Sequence, residues 1–168
     1  MAYRVGSEIS LEGLGNDLQI SKNTVEKYLD LFSKVFIIYP VSGFSRNADN
    51  EITKKKKWYF VDNGIRNALI NHFNPLNMRD DAGKLWENYL NIERIKKLDY
   101  QDYFVSDYFW RTTTRQEIDR IEERNGEIEA FEYKWGNTAV KVPTQFARNY
   151  PQSKFTLINQ ENYLDFIL

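Results

Sequence analysis

Three acids and a lysine lie close together in two short runs rich in β-forming residues. The first run is Glu117-Ile118-Asp119-Arg120-Ile121 and the second is Ala130-Phe131-Glu132-Tyr133-Lys134-Trp135. Between them stands Asn125-Gly126, a pair that favours the two-residue turn of a β-hairpin because both residues tolerate positive φ. Side chains alternate along a strand, so Glu117 and Asp119 share one face of the first, and Glu132 and Lys134 one face of the second. Where those faces coincide, Asp119, Glu132 and Lys134 converge. Two carboxylates brought together repel unless a cation sits between them, and oxygen ligands suit a hard ion such as Mg2+ or Mn2+. A lysine beside them can orient a water nucleophile or balance charge developing on a phosphate. The other reading is a set of solvated cross-strand ion pairs, since surface strands often alternate charged and apolar side chains.

An acid on one strand followed by acid-x-Lys on the next resembles the core of the PD-(D/E)XK nuclease superfamily. Here the match is Asp119, then Glu132-Tyr133-Lys134. The elements around these residues decide how much the pattern means.

With 168 residues, 42% of them apolar and 15% aromatic, the chain can pack one domain or two small ones. Its 23 basic and 24 acidic residues leave a net charge of -1, so any nucleic-acid contact must use local patches. The absence of cysteine excludes disulfides, thiolate metal sites and thiol catalysis, and the single histidine, His72, cannot build a zinc cluster. No apolar run approaches the roughly 20 residues of a membrane span. Nor do residues 1–15 read as a signal peptide, so no membrane partner and a cytoplasmic location are expected. His72, at a helix end, reads as a cap and not as a ligand or base.

In the first half, Leu11, Leu14 and Leu18 recur at helical spacing, interrupted mildly by Gly15. Ser21 then caps a second helix whose face is marked by Val25, Tyr28, Leu29 and Phe32 and which runs to about Lys34. Two short helices with a tight turn predict a helix-turn-helix. Residues 35–39 and 58–61 read as the strands of a hairpin with a long polar tip, the wing of a winged helix. As a DNA-binding element it would place Lys22, Asn23 and Lys27 in the groove and Arg46, Lys54, Lys55, Lys56 and Lys57 against phosphates. As a docking module the same lysines are a solvated approach to a strand. Glu26 and Asp30, on the second helix, would repel a phosphate backbone. A short helix from Ile65 ends near His72, and Asn74-Pro75 breaks it. The expected division is a winged helix over 1–73, a linker over 74–82 and a second domain over 83–168.

Residues 83–98 form the strongest helical pattern, with Leu85, Trp86, Tyr89, Leu90, Ile92 and Ile95 on a broad apolar face. Glu87 lies at its edge, where it can reach whatever the sheet presents or pair with Lys84 or Arg94 on the surface. A continuous or broken strand over 103–111, the two acid-bearing strands, a short helix over 143–149, a strand over 154–158 and a closing helix or coil complete the chain. Helix, three strands, helix, strand is the order a mixed sheet flanked by helices requires, an α/β (α+β) class.

Four stretches in this order are similar to the C-terminal module of a group of prokaryotic AAA-type ATPases. They are residues 21–31, Lys57-Trp58-Tyr59-Phe60-Val61-Asp62-Asn63-Gly64-Ile65-Arg66, Gly83-Lys84-Leu85-Trp86-Glu87-Asn88, and the run from Trp110-Arg111 through Asp119 to Lys134. That module is a domain of unknown function pairing a winged helix with a PD-(D/E)XK restriction-endonuclease-like domain. The resemblance places candidate active-site positions on Glu87, Asp119, Glu132 and Lys134, with Glu87, Asp119 and Glu132 as metal ligands. It also implies an ATPase partner, in cis in a longer chain or in trans. Gly83-Lys84, the one Gly-Lys pair, lacks the surroundings of a phosphate-binding loop. Three functions are in play. One is a metal-dependent nuclease acting on nucleic acid, DNA ahead of RNA. The second is a nuclease-like binding module that regulates an ATPase, and the third is a structural ion network between helix and sheet.

Overall fold

The computed structural model describes residues 1–46 and 55–168, so Lys54 lies outside the described residues. After a short strand β1 (Glu8–Ile9), helices α1 (Leu11–Leu18) and α2 (Lys22–Lys34) follow as their caps dictate. Ser10 Oγ accepts from the Gly13 amide and Ser21 Oγ from that of Thr24, each at 3.1 Å. Gln19, at φ 55°, ends α1 in the left-handed region, and the Ile20 amide bonds back to the Gly15 carbonyl. A Cβ on Gly15 would stand 2.8 Å from the Ile20 carbonyl oxygen, which is why the turn tolerates no side chain there. Val25 and Leu29 face inward against Val5, Ile9, Ile38, Trp58 and Phe60.

Strands β2 (Ile38–Gly43) and β3 (Lys56–Phe60) form the antiparallel hairpin. The first begins three residues later than its β-formers suggest, because Phe36 turns the chain at φ 56°. Helix α3 (Asn63–Leu69) is capped by Asp62 Oδ1, which accepts from the Ile65 amide at 3.0 Å. Residues 74–82 are tied down by charge. Asp81 pairs with Arg66 and Arg79, and Arg79 also donates to Asn67 Oδ1 at 2.9 Å and the His72 carbonyl at 2.7 Å. The bond from Arg79, reinforced by Arg66, holds the Asp81 carboxyl well below the usual carboxylate range.

The second half contributes α4 (Ala82–Tyr100), β4 (Ser106–Arg111), β5 (Glu117–Arg124), β6 (Glu127–Tyr133), α5 (Thr144–Asn149), β7 (Lys154–Ile158) and α6 (Tyr163–Ile167). Residues 103–105, expected in or beside a strand, precede β4 without joining it. Asn125 and Gly126, both at positive φ, close the β5–β6 hairpin. All the strands join one seven-stranded sheet of order β1-β3-β2-β4-β5-β6-β7, so the hairpin expected as a separate wing belongs to the sheet that carries the acids. The pairs β2/β4 and β6/β7 are parallel and the rest antiparallel.

Alternation assigns the faces. Trp58 and Phe60 of β3 pack under α2, whereas Tyr59 meets Val41, Ile92 and Phe109 beneath α4. Trp110, Ile118, Ile121 and Ala130 pack with Phe146 of α5, whereas Phe131 and Tyr133 pack with Trp86 and Leu90 of α4 and Phe166 of α6. A β-bulge interrupts β4/β5: Tyr108 pairs with Ile121 and Trp110 with Ile118, so Asp119 and Arg120 together oppose Phe109. Among the described residues, no helix is long and apolar enough to cross a membrane.

Gly15→Ala forces a methyl group onto a backbone carbonyl, and overpacking of that kind typically costs about 1–3 kcal/mol. Urea unfolding of the variant should show that loss in midpoint at unchanged slope.

Candidate active site

The bulge turns both Asp119 and Arg120 toward α4, and their positions differ in consequence. Arg120 runs under the middle of the helix, where its Nε donates to Glu122 Oε1 at 2.6 Å. Glu122 in turn receives both arms of Arg94, at 2.9 and 2.8 Å. Arg94 is therefore the partner of this buried carboxylate and not of Glu87. Burial opposes the Glu122 charge, but the two guanidiniums outweigh it and keep its pKa low. Breaking such a buried pair typically costs about 3–5 kcal/mol, so this network fixes α4 on the sheet.

Asp119 instead opens on a cleft of about 330 Å³. Glu87, Asp119, Glu132 and Lys134, the four candidate residues of the sequence, all line it. Asp119 Oδ2 accepts from the Tyr133 amide at 2.8 Å, and Lys134 Nζ lies 2.8 Å from Glu132 Oε1. Desolvation, then the field of Glu87, raises the Asp119 pKa well above its ordinary value; Lys57 opposes that rise and Glu132 adds to it. Burial likewise raises Glu132, against the pull of Lys134. Lys134 keeps its proton firmly, because the Glu132 bond and the fields of Glu132, Asp119 and Glu87 overcome the burial that works against its charge.

Six further residues line the cleft: Gly6, Ser7, Glu8, Lys57, Arg111 and Glu117. Lys57 changes role most. It was expected on the wing against phosphates, but it is only 2% exposed, with Nζ 2.6 Å from Glu117 Oε1 and 3.1 Å from Glu87 Oε1. The same Glu87 oxygen accepts from the Tyr59 hydroxyl at 2.7 Å. Lys57 and Tyr59 are two apart on β3 and share its α4 face, a signal the sequence held, since Trp58 and Phe60 both needed the opposite core. Gly6, at φ 68°, passes so close that a Cβ would stand 3.1 Å from Glu87 Oε1. Arg111 Nη1 lies 3.2 Å from Glu8 Oε1 and its Nε 3.8 Å from Glu117 Oε2.

Among the described residues, none of the other proposed nucleic-acid contacts lines the cleft, and Lys55 reaches its margin through Glu8. Lys22, Asn23 and Lys27 are exposed on α2, and Asn23 and Lys27 share a groove with Lys56. Lys55 is exposed and pairs with Glu8 Oε2 at 3.1 Å. Arg46 pairs with Glu123 and donates to the Gly126 carbonyl at 3.3 Å.

Five carboxylates and three bases line the cleft, an excess of acid that suits a cation. Glu132 Oε2 is buried without a hydrogen-bond partner. Among the described residues, no three His, Cys, Asp or Glu side chains are grouped to hold a metal together. Magnesium commonly takes one or two carboxylates and keeps several waters, and Asp119 with Glu132 supplies that number. Glu87, whose Oε1 already serves Lys57 and Tyr59, stands behind this pair.

Residues 1–76 match the family described as Domain of unknown function (DUF8612), and residues 82–165 match the one described as Domain of unknown function (DUF4143). The second match spans half of the chain, which belongs to the DUF4143 family. Uncharacterized protein Mb2031c of Mycobacterium bovis and Uncharacterized protein Rv2008c of Mycobacterium tuberculosis are each 24% identical to it over 140 residues. The aligned part is 82% of this chain and 31% of theirs, so the chain spans about a third of the length of these curated relatives. No solved structure matches.

Two outcomes test the electrostatics. Lys57→Met leaves Glu87 and Glu117 without their buried counter-charge and should cost about 3–5 kcal/mol in urea unfolding, with Glu87→Gln in the same chain restoring part of it. Asp119 binds its proton more tightly folded than unfolded, so stability falls as pH rises from the unfolded pKa through the folded one. Metal-free Asp119→Asn should therefore be more stable than the parent at pH 7. That gain should vanish below about pH 4, where the unfolded chain is protonated as well.

Proposed function

We propose that this DUF4143 member is the effector module of an AAA-type ATPase, present in cis or in trans, and that its cleft hydrolyses phosphodiester bonds in nucleic acid, DNA ahead of RNA. One observation carries the reading: the acid of β5 and the acid-x-Lys of β6 meet in one cleft, around a buried carboxylate oxygen that lacks a partner. In this reading Asp119 and Glu132 would hold Mg2+ or Mn2+, with Glu87 completing the acidic set. The ion would supply Lewis-acid polarisation of the phosphate. Lys134, kept protonated, orients the attacking water and balances the charge that builds on the phosphoryl oxygens. Lys57 and Tyr59 hold Glu87 at its distance. The hairpin and α1–α2 act as a winged helix, with Lys22, Asn23, Lys27 and Lys56 offered to phosphates on the α2 side and Lys55 beside the cleft at Glu8.

A second reading keeps the site for binding alone and makes the module a regulator of its ATPase. The Lys57 ammonium favours it, because it already places a permanent positive charge between Glu87 and Glu117.

Thermal unfolding with metal separates the two. A ligand at a hundred times its Kd adds about 2.7 kcal/mol. For a chain of this length that means a rise of roughly 5–11 °C in Tm with magnesium or manganese. Asp119→Asn and Glu132→Gln should abolish the rise. Lys134→Ala should keep it and lose cleavage. An unshifted parent at millimolar metal would sink the metal site, and a shift without cleavage of any DNA or RNA would leave the regulatory reading.

A further inference from the structure

Of the three bases that line the cleft, two are committed to its acids. Lys57 is closed between Glu87 and Glu117, and Lys134 bonds to Glu132. Arg111, the last residue of β4, is the third. Its Nη1 lies 3.2 Å from Glu8 Oε1 and its Nε 3.8 Å from Glu117 Oε2, close enough for attraction but not directed as hydrogen bonds. Among the described residues, Arg111 Nε and Glu8 Oε1 are both buried without a hydrogen-bond partner. A buried donor left unmet costs free energy, and a guanidinium has five donors to place.

Glu8 stands where an anion is wanted. Its side chain is 8% exposed, and its two oxygens are divided between Arg111 and Lys55, whose Nζ lies 3.1 Å from Oε2. It reaches the cleft from β1, a two-residue strand at the edge of the sheet that pairs only with Lys56 and Lys57 of β3. A carboxylate between a guanidinium and an ammonium presents charge and paired oxygens much as a phosphodiester would, and the arginine fork accepts either in two parallel bonds. A phosphate entering a cleft of five carboxylates needs a cation that is not already closed on an acid, and Arg111 is the one left. We propose that Arg111, with Lys55 at the margin, is the anion subsite for the phosphodiester, and that Glu8 holds its place in the free chain. When the phosphate arrives, Glu8 gives way and the unmet Nε gains an acceptor. The subsite rests on the nucleic-acid reading for the identity of its ligand, and not on metal binding or hydrolysis.

Fluorescence anisotropy of the full chain with end-labelled DNA and RNA, single-stranded and duplex, tests this at low salt in EDTA, where metal-dependent hydrolysis does not intrude. Glu8→Gln removes the competing charge at nearly constant shape and should tighten binding about fivefold. Arg111→Lys keeps a charge but loses the fork, and should weaken binding about tenfold. Arg111→Gln should in addition lower the salt dependence by about one phosphate contact. Glu8→Gln added to Arg111→Gln should bring no gain, which separates Arg111 from Lys55. A purely structural ion pair behaves otherwise: each variant loses stability in urea and none binds more tightly. Should the Arg111 variants fail to fold, Glu8→Gln decides alone. The subsite is overturned by a Glu8→Gln chain that binds no better than the parent, by Arg111 variants that bind as the parent does, or by a Glu8→Gln gain that survives loss of Arg111. Absence of binding by the parent and by Glu8→Gln alike overturns the nucleic-acid reading together with the subsite. Cleavage is followed separately in magnesium: undiminished cleavage by Arg111→Gln overturns the subsite and leaves hydrolysis standing, whereas the Glu8→Gln gain without any cleavage upholds the subsite and removes hydrolysis.

Discussion

An ammonium ion stripped of water tolerates few surroundings, and the buried Lys57 has been given them by three separate parts of the chain. The desolvation of one such ion costs several kcal/mol, so β3 can hold this lysine inward only while Glu87 on α4 and Glu117 on β5 stay within reach. Tyr59 and the close pass of Gly6 then leave the Glu87 carboxylate a single place to lie. Asn88, the next residue on α4, adds a neutral clamp. Its amide donates to the Phe60 carbonyl and accepts from the Phe60 amide, both at 2.8 Å, as a neighbouring strand would. Helix position, strand order and cleft shape thus follow from pairing groups that cannot be left alone.

The two charged clusters beneath α4 solve the same difficulty differently. Around Glu122 two guanidiniums face one buried carboxylate, and both of its oxygens are engaged. Around Asp119 the acids outnumber the bases, and one oxygen of Glu132 is left over. The first cluster is built for stability. The second withholds part of its stability, which is the usual condition of a site that keeps room for something else.

The features readable from sequence were those with local causes. Ser21 announces its helix through capping, the Leu11-Leu14-Leu18 spacing announces the one before it, Asn125-Gly126 announces its turn, and acid followed by acid-x-Lys picked out Asp119, Glu132 and Lys134, which line one cleft. What escaped depends on pairings distant in the chain. The inward turn of Lys57 follows from β3 lying between two cores. The contributions of Glu8 and Arg111 follow from a sheet that joins the first half to the second. Val35 and Phe36 have the composition of a strand, but the turn out of α2 claims them first. The bulge opposite Phe109 has no sequence mark at all, because Asp119-Arg120 is an ordinary pair of charges until the register on either side is known.

The sheet joins its halves through a narrow contact: β2 meets β4 over the pairs Ser42↔Tyr108 and Gly43↔Phe109, extended by the Phe44 amide bonding to the Phe109 carbonyl at 2.7 Å. Separated there, each half would present a raw strand margin, with unpaired amides and carbonyls ready to template aggregation. It would also carry away only part of the wall around Glu87. The two halves are therefore poor cassettes for recombination. A graft that exchanges one of them for a counterpart from another protein must bring a complementary margin and a cation for Glu87 at the same time.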